Sequence, residues 1–304
     1  ILPSLGNVSP ATLAAYTLTM LYVTAPLQVI LALFPALSRA RIALHEVDSL
    51  GLSLDSATDV SAAAIDRPAN DAPGELELIG VTHTYRTEHD DRNFVLGPID
   101  VTFRPGEMVF VVGGNGSGKT TLAKIIIGLY SPEQGAIRLN GELIGAELSE
   151  YYRQHFSAVF SEFYLFESLL GVDRFELDAR AREYLVKLHL DHKVTVKDGV
   201  LSTTDLSRGQ RKRLALLTAY LEDRPFYIFD EWASDQDPVF KEIFYTQLLP
   251  ELKSRGKTLI VITHDEKYFH LADRVLELEY GKLRHDSLPQ ESAKPQLLYA
   301  THLS

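Results

Sequence analysis

The stretch Gly113-Gly114-Asn115-Gly116-Ser117-Gly118-Lys119-Thr120 decides the fold of this chain. Its four glycines permit a loop whose backbone N–H groups turn inward around phosphate oxygens, because side chains there would obstruct the approach. The continuous apolar run Met108–Val112 precedes the loop and predicts a strand buried on both faces. A helix is predicted to begin at Lys119, so its free amides and dipole also favour an anion. Strand, loop and helix together predict a P-loop nucleotide site.

The side chains of this loop have distinct predicted roles. The Lys119 ammonium is expected to reach the β and γ phosphates of ATP and to act in catalysis, and the Thr120 hydroxyl is expected to ligate Mg²⁺. ATP and Mg²⁺ are therefore the predicted cofactors. The alternative is a glycine turn before an ordinary helix. The nucleotide-binding residues predicted in this loop are Gly113, Gly114, Asn115, Gly116, Ser117, Gly118, Lys119, Thr120 and Thr121.

Two further apolar runs lead to polar residues that suit catalysis. Phe226–Phe229 is followed by Asp230 and Glu231, and Thr258–Ile262 leads to His264. Ligands of open α/β sheets bind outside the carboxyl ends of the strands, so these residues can converge on the glycine loop. We predict that Asp230 holds the Mg²⁺ water shell and that Glu231 polarises the attacking water. A solvated acidic turn is the alternative for this pair.

A third motif, Leu206-Ser207-Arg208-Gly209-Gln210, precedes a helix predicted over Arg211–Leu221. Ser207 stands where an N-cap belongs, and the free amides of that helix could face a γ-phosphate. A helix cap without a ligand is the alternative. Ser207, Gly209 and Gln210 are the nucleotide contacts predicted in this motif.

The bulk composition excludes several classes of function. A formal net charge of -11 over 304 residues argues against a general nucleic-acid binder, because phosphate backbones attract an excess of Lys and Arg. The chain has no cysteine, which excludes disulfides, thiolate metal sites and cysteine nucleophiles. A hydrophobic content of 45% predicts a globular chain with one large domain or two medium ones.

The N-terminal stretch has the composition of a membrane segment. Residues 1–38 carry no charged side chain or histidine, and Arg39 and Arg41 follow as a cytoplasmic flank would. A buried soluble helix and a detached hydrophobic tail are the alternatives.

The strands Glu75–Arg86 and Phe94–Phe103 are predicted to pair antiparallel at the start of the next domain. The predicted boundaries are 1–55 for the last transmembrane helix and its cytosolic extension, 56–74 for a linker, 75–285 for the ATPase domain and 286–304 for a C-terminal tail.

Taken together, the motifs over Glu75–Arg284 resemble the nucleotide-binding domains of ABC transporters. Leu206–Gln210 matches the signature of that family, Asp230 and Glu231 match its Walker B end, and His264 matches its switch histidine. The resemblance implies an α/β P-loop fold. In it, a mixed sheet core carries an antiparallel β subdomain and a helical subdomain, here preceded by a transmembrane helix. It also implies an ATP hydrolase in which His264 contacts the γ-phosphate.

The resemblance further implies how nucleotide and partner are bound. Tyr85 is expected to stack on adenine, although it could also be a plain strand residue. Two copies are expected to pair head to tail, so that Ser207 and Gly209 of one copy close over ATP held by Lys119 of the other. ATP binding and hydrolysis would then close and open the attached membrane helices.

Two departures from the family pattern narrow the resemblance. Ser161 or Glu162 stands where the family usually places a metal-contacting glutamine, so either is a candidate Mg²⁺ ligand. The segment between Phe166 and Leu206 is short for the helical subdomain of an exporter. The runs around Ala158–Phe166 and Phe229–Pro238 resemble bacterial exporters of cyclic peptides and siderophore precursors, of the pyoverdine and syringomycin type. In that group the membrane domain precedes the ATPase domain in one chain.

The sequence therefore predicts the ATPase part of an exporter in the bacterial inner membrane, with the ATPase domain on the cytoplasmic side. Its expected partners are ATP, a second copy of itself, the membrane domain of its own chain and membrane lipid, but not nucleic acid. One rival interpretation is a soluble ABC-type ATPase switch in translation or DNA repair. Another is an ATP-sensing domain that dimerises and hardly turns over. The transported substrate is not specified by these motifs.

Overall fold

A computed structural model describes residues 11, 14–24, 26–28, 74–85, 94–169 and 176–288. The chain divides into two units, Ile1–Ile65 and Asp66–Ser304, which are treated separately. Residues 14–24 and 26–28 of the first unit are helical with exposed side chains. Among the described residues, no helix is long and apolar enough to cross a membrane. Most of the predicted membrane segment 1–55, nearly all of the predicted linker 56–74 and the tail from 289 lie outside the described residues.

The second unit contains two main sheets. The strands are β1 (Leu76–Tyr85), β2 (Phe94–Phe103), β3 (Met108–Val112), β4 (Gln134–Leu139), β5 (Glu142–Leu143), β6 (Phe156–Val159), β7 (Val196–Lys197), β8 (Val200–Leu201), β9 (Phe226–Asp230), β10 (Thr258–Ile262), β11 (Arg274–Glu279) and β12 (Lys282–Ser287). A four-stranded antiparallel sheet has the order β2-β1-β4-β5. The antiparallel pairing predicted for the first two strands is thereby confirmed.

The six-stranded sheet has the order β12-β11-β3-β10-β9-β6. Its strands run parallel except β12, which pairs antiparallel with β11. The predicted mixed sheet is therefore confirmed. β3 and β10 have the predicted bounds, and β9 extends one residue further, to Asp230. Because β10 lies between β3 and β9, the carboxyl ends that lead to the glycine loop, to Glu231 and to His264 lie side by side.

Alternate residues of the central strands belong to two separate cores. Tyr227 and Phe229 of β9 pack into one cluster, whereas Phe226 and Ile228 pack into the other. Continuous apolar runs in these strands are thus explained by burial of both sheet faces. The antiparallel sheet packs into the second cluster, which fixes the glycine loop between the two sheets.

The helices cover the six-stranded sheet and form the helical subdomain. They are α1 (Lys119–Ile126), α2 (Ser149–Arg153), α3 (Leu177–Lys187), α4 (Arg208–Glu222), α5 (Pro238–Ile243) and α6 (Leu249–Ser254), with a π-helical turn Phe244–Leu248 between the last two. α3 packs on α4, where the rings of Tyr184 and Tyr220 stack at 4.9 Å. The short segment before Leu206 therefore still supplies a helix and the small hairpin of β7 and β8.

The helix after the Ser207 motif begins three residues earlier than predicted, at Arg208 and not at Arg211. The Ser207 side chain accepts a hydrogen bond from the backbone N–H of Gln210. The Gln210 side chain accepts one from the Ser207 N–H in return. This reciprocal capping box satisfies two helix-end donors at once and sets the first helical residue directly after Ser207. The predicted N-cap role of Ser207 is confirmed, but the predicted start of the helix was wrong.

Candidate functional site

The glycine loop follows β3 and opens α1, as predicted. Two of its glycines combine a positive φ with neighbours that leave no room for a Cβ. Gly113 has φ 144° and a Cβ there would lie 2.1 Å from the Leu278 carbonyl oxygen, while Gly118 has φ 101° and a Cβ there would lie 2.9 Å from Leu96 Cδ1. At Gly114, by contrast, an added Cβ would meet open space. Gly113 and Gly118 are therefore needed to form the loop itself, before any phosphate approaches.

The variant Gly113→Ala is expected to lose at least about 1 kcal/mol of unfolding free energy, because a Cβ would strain a left-handed residue against fixed backbone. Displacement of the loop should also weaken ATP binding by about tenfold or more. Urea unfolding and ATP titration measure the two effects. Gly114→Ala is the matched control for stability and should unfold like the unmodified protein. Equal stability of both variants would contradict this account of the loop.

The glycine loop forms the floor of a pocket. Of the predicted nucleotide-binding residues, Tyr85, Asn115, Gly116, Ser117, Gly118, Lys119, Thr120 and Thr121 line it, and so does Glu231. Phe94, Lys124 and Tyr130 also line it, although no motif in the sequence predicts them. The structure thus brings the predicted phosphate loop, the adenine aromatic and the candidate base to one cavity.

The aromatic wall of the pocket comes from a strand pair. Tyr85 and Phe94 are direct partners in the antiparallel register of β1 and β2. Tyr85 is 47% exposed, so its ring is free to take a planar ligand. On another side, Tyr130 stacks on His83 at 5.2 Å and lies 5.3 Å from Lys124 Nζ. Phe94 could have been found by continuing the predicted pairing of the first two strands to their open end.

Lys119 is buried at the centre of the loop. Its Nζ donates to the carbonyl oxygens of Gly113 and Gly114, at 2.9 Å each. Burial lowers the pKa of Lys119, and the nearby Glu231 and Asp230 charges oppose that shift. The ammonium therefore lies inside the loop and donates to backbone oxygens. A phosphate oxygen bound in the loop could replace these oxygens as its acceptor.

Asp230 and Thr120 meet beside the loop. The Thr120 hydroxyl donates to Asp230 Oδ2 at 3.0 Å, and Asp230 is only 1% exposed. Its Oδ1 is buried without a hydrogen-bond partner in the described structure. Burial raises the pKa of Asp230, against the Thr120 hydrogen bond. A buried carboxylate oxygen lacking a partner beside a hydroxyl fits Mg²⁺, which takes one or two carboxylates together with phosphate oxygens and waters.

Further candidate ligands for Mg²⁺ were predicted in the segment that follows β6. Among the described residues, no group of three or more His, Cys, Asp or Glu side chains could hold a metal ion. Ser161 and Glu162, the predicted alternative ligands, follow β6, whose carboxyl end lies next to that of β9. Either could reach the same edge of the sheet, and their role as ligands stays a prediction.

Glu231 and His264 are in direct contact. Glu231 Oε1 lies 3.1 Å from His264 Nε2, and the two side chains are 36% and 47% exposed. Glu231 has φ 49°, in the left-handed region that few residues other than glycine adopt, and its N–H donates to the Ile262 carbonyl at 3.0 Å. This backbone turns Glu231 into the pocket while Asp230 stays buried, so the two adjacent carboxylates take different positions.

The Ser207 motif lies elsewhere on the same chain. Ser207, Gly209 and Gln210 are not among the described residues that line the pocket. Gly209 packs closely, since a Cβ there would lie 2.8 Å from the Asp235 carbonyl oxygen. One chain therefore does not bring this motif to its own glycine loop, and a nucleotide contact would have to come from a second copy.

Comparison with known proteins gives a consistent result. Residues 96–234 match the family model described as ABC transporter. The chain is 42% identical over 292 residues to ATP-binding protein SyrD of Pseudomonas syringae pv. syringae, covering 93% of this chain and 52% of SyrD. It is 31% identical over 233 residues to the probable syringafactin export ATP-binding/permease protein SyfD of the same pathovar (strain B728a), covering 69% of this chain and 34% of SyfD.

Among solved structures, the chain is similar to the dimeric post-hydrolysis state of the ATP-binding cassette MJ0796 bound to ADP and Pi. The TM-score is 0.61 at 24% identity, with 70% of this chain and 98% of that chain covered. This likeness concerns the fold. The chain spans about half the length of SyrD, and the matched part is longer than the stretch from Glu75 to Ser304, so the similarity to SyrD continues before Glu75.

Proposed function

The chain carries an ATP-binding domain of the ABC transporter family, whose members hydrolyse ATP, and from this premise we propose that it is the ATPase part of a bacterial exporter. The single observation that carries the proposal is that Lys119, Thr120 and Glu231 line one pocket. The side chains proposed to hold the phosphate, to bind the metal and to activate the water therefore line the same pocket. A domain that only senses ATP would not need Glu231 turned into that pocket by a left-handed backbone.

The chemistry follows from the positions of the side chains. Lys119 and the loop amides hold the phosphates of ATP, and Thr120 with Asp230 would hold the Mg²⁺ that neutralises charge developing on them. The Glu231 carboxylate accepts a proton from the attacking water, because it is the exposed one of the acidic pair. His264 Nε2, in contact with Glu231 Oε1, orients that carboxylate, and His264 is also proposed to contact the γ-phosphate. Tyr85 and Phe94 offer the adenine ring an aromatic surface at the paired ends of their strands.

The complete site is proposed to need two copies. Ser207, Gly209 and Gln210 of one copy would contact ATP held by Lys119 of the other in a head-to-tail dimer. Two observations support this arrangement. The motif lies away from the pocket of its own chain, and the related cassette MJ0796 is described as dimeric. ATP then joins the two domains, and hydrolysis lets them separate.

The membrane part of the proposal concerns residues 1–55. The absence of charge up to Ser38 and the continuation of the similarity to SyrD before Glu75 support a membrane domain on the same chain, in contact with lipid. SyfD is described as an export ATP-binding/permease protein, which joins both functions in one name. We place the ATPase domain on the cytoplasmic side of the bacterial inner membrane, with the last transmembrane helix leading into it.

The proposed substrate is a cyclic peptide or a siderophore precursor. Its support is the similarity to SyrD and to the probable syringafactin export protein SyfD, together with the run Phe229–Pro238, which resembles exporters of this type. The product of the complete gene, reconstituted in liposomes, is expected to hydrolyse ATP faster when a transported peptide is present. Cyclic lipopeptides and pyoverdine precursors are the probes, and a linear peptide of matched composition is the control. If none of them stimulates hydrolysis, the proposed substrate class is rejected, and the proposed ATPase function still stands.

A further inference from the structure

Lys212, on the second turn of α4, is a fully buried cation. Its side chain is 0% exposed, and its Nζ lies 2.7 Å from Asp235 Oδ2 in an ion pair. The same Nζ donates to the Glu231 carbonyl oxygen at 3.1 Å and to Ser234 Oγ at 3.4 Å. Taking an ammonium out of water costs several kcal/mol, so lysine is rarely buried without a partner. All three of these partners lie on the segment that directly follows β9.

The carbonyl of Glu231 is the centre of this arrangement. It accepts hydrogen bonds from Ser234 N–H at 3.2 Å and from the Ser234 hydroxyl at 2.7 Å, in addition to the one from Lys212. Three donors therefore fix the peptide group that follows Glu231. Because Glu231 has φ 49°, its backbone is held in a conformation that an L-residue does not favour by itself. The direction of its side chain depends on that constraint.

The loop after β9 also donates a hydrogen bond back to α4. Trp232 Nε1 donates to the Lys212 carbonyl at 3.0 Å, and the buried Trp232 ring stacks on Phe244 at 4.3 Å. The ion pair with Lys212 lowers the pKa of Asp235, which keeps this carboxylate charged. Lys212 is thus connected through its side chain and its backbone to the loop that carries Glu231.

We propose that Lys212, paired with Asp235, is a positioning residue that holds Glu231 in its catalytic orientation. The proposal rests on the role of Glu231 proposed above. Lys212 does not touch the nucleotide pocket, so it acts on the reaction through the backbone of Glu231. Its loss should misdirect the Glu231 carboxylate and leave the phosphate loop unchanged.

The variant Lys212→Met keeps most of the length of the side chain and removes its charge. We expect kcat for ATP hydrolysis to fall about 10- to 100-fold, since misplacement of a catalytic group by about 1 Å has effects of this size. KM for ATP should change less than about twofold. Arg211→Met, at the exposed neighbouring position, is the matched control and should keep its kcat. An unchanged kcat in K212M would overturn the proposal.

A second variant separates positioning from simple stability. K212M leaves Asp235 paired only with the exposed Arg208, at 3.2 Å. K212M/D235N removes both charges of the buried pair and should recover stability in thermal unfolding. A positioning role predicts that kcat stays low in this stable double variant and recovers partly in Lys212→Arg. Full recovery of kcat in K212M/D235N would show a structural role only. If E231Q loses turnover while K212M keeps a normal kcat, only the positioning role of Lys212 is rejected. Normal turnover in E231Q would reject the role of Glu231 itself.

Discussion

The variant Glu231→Gln is expected to hydrolyse ATP about 10²- to 10⁴-fold more slowly, because an amide cannot accept the proton that a positioned carboxylate takes from the attacking water. ATP affinity should stay within about twofold, since Lys119 and the loop amides are unchanged. Phosphate release and ATP titration measure the two quantities. Glu147→Gln, on the exposed surface away from the pocket, is the matched control and should keep normal turnover.

The same variant tests the composite site. With hydrolysis blocked and ATP still bound, the head-to-tail pair should accumulate, and size-exclusion chromatography of E231Q with Mg²⁺ and ATP should show a dimer. The unmodified protein should return to its starting state as ATP is consumed. If E231Q neither loses turnover nor retains a dimer, Glu231 is not the base. Negligible ATP turnover by the unmodified protein would instead favour an ATP-sensing domain.

The central fold could be predicted because its strands are buried on both faces. Met108–Val112 and Thr258–Ile262 are continuous apolar runs, which a parallel sheet requires and few other structures tolerate. The carboxyl ends of parallel strands meet at one edge, which is why Glu231 and His264 could be predicted to converge on the glycine loop although they lie far apart in the chain. The end of β9 was predicted one residue short because Asp230 is a buried charge, which a hydropathy pattern counts as a strand end.

The remaining site residues depend on tertiary contacts. Lys124 and Tyr130 lie on and just beyond α1, where a lysine and an aromatic side chain carry no local sign of facing a pocket. Lys212 lies between Arg211 and Arg213, and such a basic run is typical of the solvent-exposed face of a helix. Only the packing of α4 against the loop after β9 shows that the middle residue of the three is fully buried.

The variant Asp230→Asn is expected to separate stability from activity. Mg²⁺-dependent ATP turnover should fall by at least about 100-fold, because the metal loses a charged ligand worth several kcal/mol. Without Mg²⁺ or nucleotide, the same change should raise the unfolding free energy at neutral pH by about 1 to 3 kcal/mol, since it removes a buried carboxylate whose Oδ1 has no partner. Phosphate release and urea unfolding measure the two effects. Asp191→Asn, at an exposed position, is the control for both.

The pH dependence of D230N gives a further check on the cause. Burial raises the pKa of Asp230 in the folded protein, so the neutral acid is the form that the fold favours. The contribution of this group to stability is therefore complete below its unfolded pKa and is lost as the pH rises through the folded pKa. The unmodified protein without Mg²⁺ should lose stability as the pH rises from the unfolded pKa of Asp230 through its folded pKa, and D230N should not. Added Mg²⁺ with ATP should reverse the loss in the unmodified protein alone, because a cation held near Asp230 would stabilise its ionised carboxylate. A nucleotide-free D230N variant that is less stable than the unmodified protein across this range would show that Asp230 supports the fold and does not await a metal.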